Sequence, residues 1–184
     1  MITLILGGAR SGKSTFAEQL ASFHEDVTYI ATADARDAEM EERIALHKKR
    51  RPSTWQTWEG AIENLPDTVE ALPGTLLLDC LTMYLTRLFL ASPAAEADDE
   101  AAWFMREHDI LGSVERICSG FRATHPDDAQ LIIVSNEVGF GLVPPYRLGR
   151  RFRDMQGRAN QIAAGCADRV ALVVAGLPLW VKGE

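Results

Sequence analysis

The sequence predicts an α/β fold with a mainly parallel sheet flanked by helices, and three observations point there. Short apolar runs recur at residues 2–6, 27–31, 75–78 and 131–134, each ending at a glycine or polar residue. Runs of that length, apolar on successive positions, have the profile of strands buried on both faces. Longer amphipathic stretches of helical spacing separate them, the alternation that builds parallel sheets. The composition then sets the scale: 184 residues, 47% hydrophobic and 24% charged, fit one domain with a sizeable core.

In order, residues 2–6 stop at Gly7-Gly8 as a first strand, and residues 14–23 follow as a helix with Phe16, Ala17, Leu20 and Ala21 on one side. Residues 27–31 form a second strand. A long helix is expected from Asp37, acidic early (Glu39, Glu41, Glu42) and basic late (Lys48, Lys49, Arg50, Arg51), a polarity that suits the helix dipole until Pro52 stops it. Residues 55–59 read as a short strand, 75–78 as a buried strand ending at Asp79, and 81–90 as a helix. The segment 92–100 (SPAAEADDE) is a surface connection. A long helix over 101–123, a strand over 131–134, a helix over 146–166 after Pro144-Pro145, and strands over 169–174 and 179–182 complete the chain. No internal repeat or second domain boundary is visible, so residues 1–184 are read as a single nucleotide-binding domain.

The net charge of -7 disfavours nucleic acid as a partner. Cys80, Cys118 and Cys166 are odd in number and widely spaced, which points to small buried side chains rather than disulfides or a metal site. No basic leader or membrane span is visible, and a cytoplasmic protein is expected.

The strongest motif is Gly7-Gly8-Ala9-Arg10-Ser11-Gly12-Lys13-Ser14. It matches G-x-x-x-x-G-K-[ST] between a buried strand and an amphipathic helix, the context that gives the pattern its meaning. Main-chain N–H groups and the helix N-terminus make an anion cradle there. Lys13 is expected to reach the β- and γ-phosphates of GTP or ATP, and Ser14 to ligate Mg²⁺. The fold is therefore read as P-loop NTPase-type, of the RecA-like kind. Asp79, at the end of a buried strand, is the candidate second Mg²⁺ ligand; a helix N-cap is the competing role, and both can hold at once.

Several further motifs occur in order along the chain. They are Tyr29-Ile30-Ala31-Thr32-Ala33, Glu39-Met40-Glu41-Glu42-Arg43-Ile44 leading to His47-Lys48 and Arg51-Pro52, and Trp55 with Glu59. Leu78-Asp79-Cys80-Leu81-Thr82, Ser135-Asn136-Glu137-Val138-Gly139 with Gly141 and Val143-Pro144, and Phe152-Arg153-Asp154 through Gly157-Arg158-Asn160-Gln161 follow. With the phosphate loop they make the chain resemble, over essentially its whole length, the bifunctional adenosylcobinamide kinase/adenosylcobinamide-phosphate guanylyltransferases of cobalamin biosynthesis. The resemblance implies phosphorylation of adenosylcobinamide, then transfer of GMP from GTP to adenosylcobinamide phosphate through a GMP–histidine intermediate. It places that histidine at His47; where the family often has two adjacent histidines, this chain has Leu46-His47. It also implies nucleotide contacts at Ala31, Thr32, Ala33 and Glu59, and a homotrimer.

The chemistry is coherent with that reading. A neutral imidazole attacks phosphorus well, and its phosphoramidate is reactive enough to pass GMP onward. Lys48, Lys49, Arg50 and Arg51 beside it are placed to offset the charge of the triphosphate. His47 is distant along its helix from the phosphate loop, so that helix is expected to shift when nucleotide binds. Asn136 and Glu137 are candidate substrate contacts. Arg147, Arg150, Arg151 and Arg153 are read mostly as solvated charge, His24, His108 and His125 as surface histidines, and the four tryptophans as core or interface residues. Three rivals remain: a P-loop small-molecule kinase without guanylylation, a GTP-binding regulatory module, and a non-catalytic corrinoid carrier. The second lacks an Asn-Lys-x-Asp guanine signature anywhere in the sequence.

Overall fold

A computed structural model describes residues 1–33, 42, 45, 48, 49 and 51–183. Among them a seven-stranded sheet runs through the molecule: β1 (Ile2–Gly7), β2 (Val27–Ala31), β3 (Gln56–Trp58), β4 (Thr75–Asp79), β5 (Leu131–Asn136), β6 (Arg169–Val174) and β7 (Leu177–Lys182). Their spatial order is β3-β2-β4-β5-β1-β6-β7. All neighbours pair in parallel except β6 with β7. The described helices are α1 (Lys13–Ala21), α2 (Leu65–Ala71), α3 (Leu81–Leu90), α4 (Glu100–Thr124) and α5 (Arg147–Cys166).

Strand alternation divides the core in two. Ile2, Leu4, Ile30, Leu76, Leu78, Leu131 and Ile133 point to the face covered by α2, α3, α4 and α5. Ile5, Val27, Tyr29, Leu77, Ile132 and Val134 point to the opposite face, where α1 packs through Ala17 and Ala21. Burial on both sides explains why these strands read as uninterrupted apolar runs. One strand, β5, lies between β1 and β4, the RecA-like arrangement of a phosphate-loop strand and a carboxylate-bearing strand.

Two features depart from the sequence reading, and a third expectation lies mostly outside the described residues. Helix α2, entered through a 3-10 turn at Ile62–Asn64 with Pro66 in its first turn, was not expected; seven residues are too few for a helical period to stand out. β6 and β7 form an antiparallel hairpin closed by Ala175 and Gly176, both at positive φ (51° and 82°), the signs a two-residue type I′ turn demands. The expected helix from Asp37 to Arg51 lies mostly outside the described residues, and His47 and Arg50 lie there too; Glu42, Ala45, Lys48 and Lys49 have helical backbone.

Arg147, Arg150 and Arg151 are bonded to the protein rather than solvated. Arg151 is 7% exposed and donates to the carbonyls of Ala94, Ala95 and Ala97 and to Glu100 Oε1. Arg147 pairs with Asp98 and donates to the Glu96 and Ala97 carbonyls. The acidic segment 92–100, seemingly a free surface loop, is thus clamped to α5 by its charge complement. His125 is half-buried as well: its ring stacks on Phe121 and its Nε2 lies 2.7 Å from the Leu72 carbonyl. Arg151→Ala is expected to lower the free energy of unfolding by about 2–3 kcal/mol, since several hydrogen bonds from a charged donor are lost. Arg153→Ala, which removes only a pairing with the adjacent Asp154, is expected to change it by less than about 0.5 kcal/mol. Urea titration of both variants reads the contrast.

Candidate functional site

The phosphate loop is shaped from both ends. Gly7 ends β1 in register with Asn136 of β5 and Val173 of β6. A Cβ on Gly7 would stand 2.7 Å from the Val173 carbonyl oxygen, so a side chain there would push the strands apart. At the other end Gly12 takes φ 98°, a left-handed turn into α1, while Arg10 (φ 57°) bends the middle of the loop. The β6–β7 turn presses on this corner: Gly176 N–H donates to the Ser11 carbonyl at 2.8 Å, and a Cβ on Gly12 would meet Gly176 Cα at 3.0 Å. Trp180 of β7 packs edge-on against Phe16 of α1, under the Arg169 guanidinium.

Lys13 is buried, and its ammonium donates to the Gly8 carbonyl at 3.0 Å, which holds the charge over the loop. Desolvation lowers its pKa below the usual lysine range, with the neighbouring Cys80 and Asp79 acting in the opposite sense. Ser14 follows in the first turn of α1, half-buried; the Ser11 hydroxyl is buried and has no hydrogen-bond partner among the described residues.

Asp79 ends β4 at the same sheet edge, half-buried, and accepts a hydrogen bond from the Tyr29 hydroxyl at 2.8 Å. Burial, with Asp79 adding to it, drives the Tyr29 pKa upward, so the phenol stays a donor. The Arg51 guanidinium lies 3.2 Å from the Tyr29 ring centroid; its Nε and Nη1 are buried without a hydrogen bond among the described residues. Arg51, Tyr29 and Asp79 thus form one stacked and hydrogen-bonded chain running from the basic segment toward the phosphate loop. Cys80 serves as N-cap of α3 through its sulfur, so Asp79 itself is not the cap. Burial, reinforced by the Asp79 charge, pushes the Cys80 thiol up to about 12.

The other predicted residues distribute as follows. Ala31 closes β2, and the fully buried Thr32 hydroxyl both donates to the Cys80 carbonyl (2.7 Å) and accepts from its N–H (2.8 Å), joining the ends of β2 and β4. That hydroxyl is taken up by the fold; Ala33 beside it is half-buried. Glu59, just beyond β3, pairs with Lys48 at 2.6 Å, both about half exposed. Counting strands from β1 through β5, β4 and β2 to β3 gives four spacings, about 19 Å across the sheet. The phosphate loop and the Lys48–Glu59 pair therefore lie at opposite ends of one ligand-facing edge.

Asn136 and Glu137 stand next to the loop, where the Glu137 N–H donates to the Gly7 carbonyl at 3.1 Å. A buried polar set holds that strand end: Thr82 Oγ1 accepts from the Asn136 N–H (2.8 Å), and Asn160 Nδ2 donates to the Asn136 carbonyl (3.0 Å). Ser135 and Gln156 hydrogen-bond around Asn160 beneath them. Gln156, Gly176 and the Thr32–Cys80 link were not singled out from the sequence. For Gly176 a signal existed in Ala175-Gly176 between two apolar runs, a short-hairpin pattern; for the other two, only the packing shows the pairing. Among the described residues no group of three or more His, Cys, Asp and Glu is close enough to hold a metal.

A buried strand, a glycine loop at a helix N-terminus, a buried lysine and a strand-end carboxylate define a P-loop protein that binds nucleotide phosphates. The family described as cobinamide kinase / cobinamide phosphate guanyltransferase matches residues 3–181. The bifunctional adenosylcobalamin biosynthesis protein CobP of Pseudomonas aeruginosa is 43% identical, over 100% of this chain and 99% of its own. The bifunctional adenosylcobalamin biosynthesis protein CobU of Salmonella typhimurium is 38% identical, over 99% and 100%. A solved structure, the P4 protein from bacteriophage phi6 in complex with ADP, is similar at TM-score 0.44 and 12% identity, over 96% of this chain and 52% of that one. The chain belongs to the cobinamide kinase / cobinamide phosphate guanyltransferase family, and its two activities are those of a kinase and a guanylyltransferase.

Two outcomes follow from the loop geometry. Gly176→Pro, which deletes the N–H held by Ser11 and cannot adopt the positive φ of the turn, is expected to raise the KM for nucleoside triphosphate about tenfold or more, equal to at least roughly 1.4 kcal/mol of lost positioning. Gly176→Asn, which keeps the N–H and tolerates positive φ, is expected to stay near wild type; steady-state kinetics with triphosphate varied compare the two. Binding a triphosphate brings negative charge to Lys13 and raises the pKa that burial had lowered. Binding is therefore expected to take up protons in alkaline solution just below the ordinary lysine range, and Lys13→Arg to abolish the uptake. Calorimetry in two buffers of different protonation enthalpy measures it.

Proposed function

We propose that this enzyme phosphorylates the aminopropanol hydroxyl of adenosylcobinamide with GTP or ATP. It then transfers GMP from GTP to the new phosphate through a covalent bond to His47, yielding adenosylcobinamide-GDP and pyrophosphate. The observation that carries the reading is one sheet edge holding the phosphate loop, the buried Lys13 and Asp79 at one end and the Lys48–Glu59 pair at the other, in a chain that matches the family over residues 3–181.

In the kinase step the substrate hydroxyl oxygen attacks the γ-phosphorus, the bond to the β,γ-bridging oxygen breaks, and nucleoside diphosphate leaves. The loop residues Gly7, Gly8, Ala9, Arg10, Ser11 and Gly12 cradle the phosphates by main-chain N–H groups, and Lys13 offsets the charge that develops. The hydroxyl of Ser14 and the carboxylate of Asp79 are hard oxygen donors, the kind Mg²⁺ prefers. They would hold the ion, which would neutralise negative charge on the phosphates. Tyr29 orients the Asp79 carboxylate toward this role through its hydroxyl.

In the second reaction an imidazole nitrogen of His47 attacks the α-phosphorus and pyrophosphate leaves. A phosphate oxygen of the substrate then displaces the imidazole, taking GMP with it. Lys48, Lys49, Arg50 and Arg51 offset the charge of triphosphate and pyrophosphate, Glu59 accepts hydrogen bonds from the guanosine, and Ala31, Thr32 and Ala33 line the path between the two ends. Because those ends stand about 19 Å apart in the sheet, the segment bearing His47 moves toward the loop when GTP is bound.

The enzyme acts in the cytoplasm, where its nucleoside triphosphates are found; among the described residues no helix is long and apolar enough to cross a membrane. It works as a homotrimer. An apolar stripe on the edge strand β7, with Leu177, Leu179 and Val181 each at least 59% exposed on one face, supports a surface that is covered between copies.

Incubation with α-labelled GTP is expected to leave one acid-labile, base-stable label on the enzyme, located by mass spectrometry at His47. His47→Ala is expected to lose both label and guanylyl transfer while keeping kinase activity. Asp79→Asn is expected to lower the kinase kcat about 10²- to 10³-fold, the scale of losing one preorganised electrostatic group. Label that persists in His47→Ala would remove the covalent role of that histidine.

A further inference from the structure

The loop over residues 137–146 leaves the C-terminal end of β5, directly beside β1 and the phosphate loop. It is anchored at both ends. Glu137 is tied by its N–H to the Gly7 carbonyl, and its Oε1 accepts from the Gly139 N–H at 2.8 Å. At the far end Arg150 Nη1 donates to the Pro144 and Pro145 carbonyls at 3.1 and 2.8 Å. Pro144 and the Tyr146 ring close over Gly149, where a Cβ would meet either at 2.8 Å.

Between these anchors the loop carries its large apolar side chains outward. Phe140 is 83% exposed and Leu142 97%, with Val143 and Tyr146 also mostly in solvent. Single exposed apolar residues need no explanation, but four on one tethered loop at a ligand-facing edge form a patch that marks a contact surface. The substrate in the family's description is a corrinoid, a macrocycle with methyl-rich faces that carries its reacting hydroxyl on a flexible tail. Two cavities of this molecule, of about 240 Å³ and 220 Å³, are lined by residues of α4 and α5 and of the 90–96 segment. Both are below the size that holds even a drug-sized ligand. The 137–146 loop is instead an open apolar surface one strand away from the phosphate loop, within reach of a substrate whose reacting hydroxyl sits on a tail.

We propose that this loop is the docking surface for the corrin macrocycle, with Phe140 and Leu142 packed on its apolar face so that the tail hydroxyl reaches the phosphate loop. The inference rests on the transferase reading above and adds the place where the macrocycle sits. Specificity for the corrinoid over smaller alcohols then comes from apolar area beside the reacting centre, and nucleotide binding is independent of it.

Because Phe140 and Leu142 contact so little of the protein, replacing them leaves the fold intact, and the test is direct. In Phe140→Ser/Leu142→Ser the KM for cobinamide is expected to rise about tenfold or more, the scale of losing roughly 1.4 kcal/mol of apolar contact. The kcat at saturating corrinoid and the labelling of the enzyme by α-labelled GTP alone are expected to stay unchanged. Phe140→Leu/Leu142→Met, which keeps the patch apolar, is expected to retain the wild-type KM. An unchanged cobinamide KM in the serine variant overturns the proposal. So does a change in solution mass with cobinamide KM unaltered, which assigns the loop to contact between copies. If the unaltered enzyme neither binds nor turns over cobinamide, the transferase reading falls, and this docking surface with it.

Discussion

The rest of the site depends on keeping a set of main-chain N–H groups turned inward at the end of β1, a conformation the loop cannot hold by itself. Left-handed residues at Arg10 and Gly12 create the turn, and neighbouring strands confine it, with the Val173 carbonyl on one side and the Gly176 N–H on the other. Lys13 completes the constraint: an ammonium in a buried position, held by the Gly8 carbonyl, places positive charge where solvent cannot screen it. Its lowered pKa is the counterpart of that placement.

A second constraint ties the carboxylate to the basic segment. Asp79 takes its orientation from the Tyr29 hydroxyl, and the Arg51 guanidinium stacks on the ring of the same residue. The ends of β2 and β4 are locked together through Thr32 and Cys80. A change of position at the basic segment therefore acts on the Asp79 carboxylate through a ring and one hydrogen bond. Such coupling suits an enzyme that carries both a kinase and a guanylyltransferase activity.

The charge pattern of an acidic protein acquires a division of labour. The Arg51 guanidinium stacks on the Tyr29 ring, whereas Arg147 and Arg151 of α5 neutralise the acidic segment 92–100 and fix it in place. Arginine residues that look alike along the chain thus hold different parts of the fold.

Composition and short-range pattern determined the α/β class, the parallel strands and the phosphate loop, because these follow from local periodicity and from glycine at fixed spacing. Residues 2–6, 27–31, 75–78 and 131–134 needed no partner to be read as buried strands. Asp79 was legible as a polar residue ending such a run, and the basic segment as charge out of keeping with its surroundings. Tertiary structure alone decided which side chains meet: Tyr29 with Asp79, Gly176 with Ser11, Thr32 with Cys80, and Arg151 with the 94–97 carbonyls. It also decided the order of strands, and with it the distance between the two ends of the site. Those pairings span dozens of residues or more, and no local propensity encodes them; they arise only when parallel crossovers bring distant strand ends to one edge.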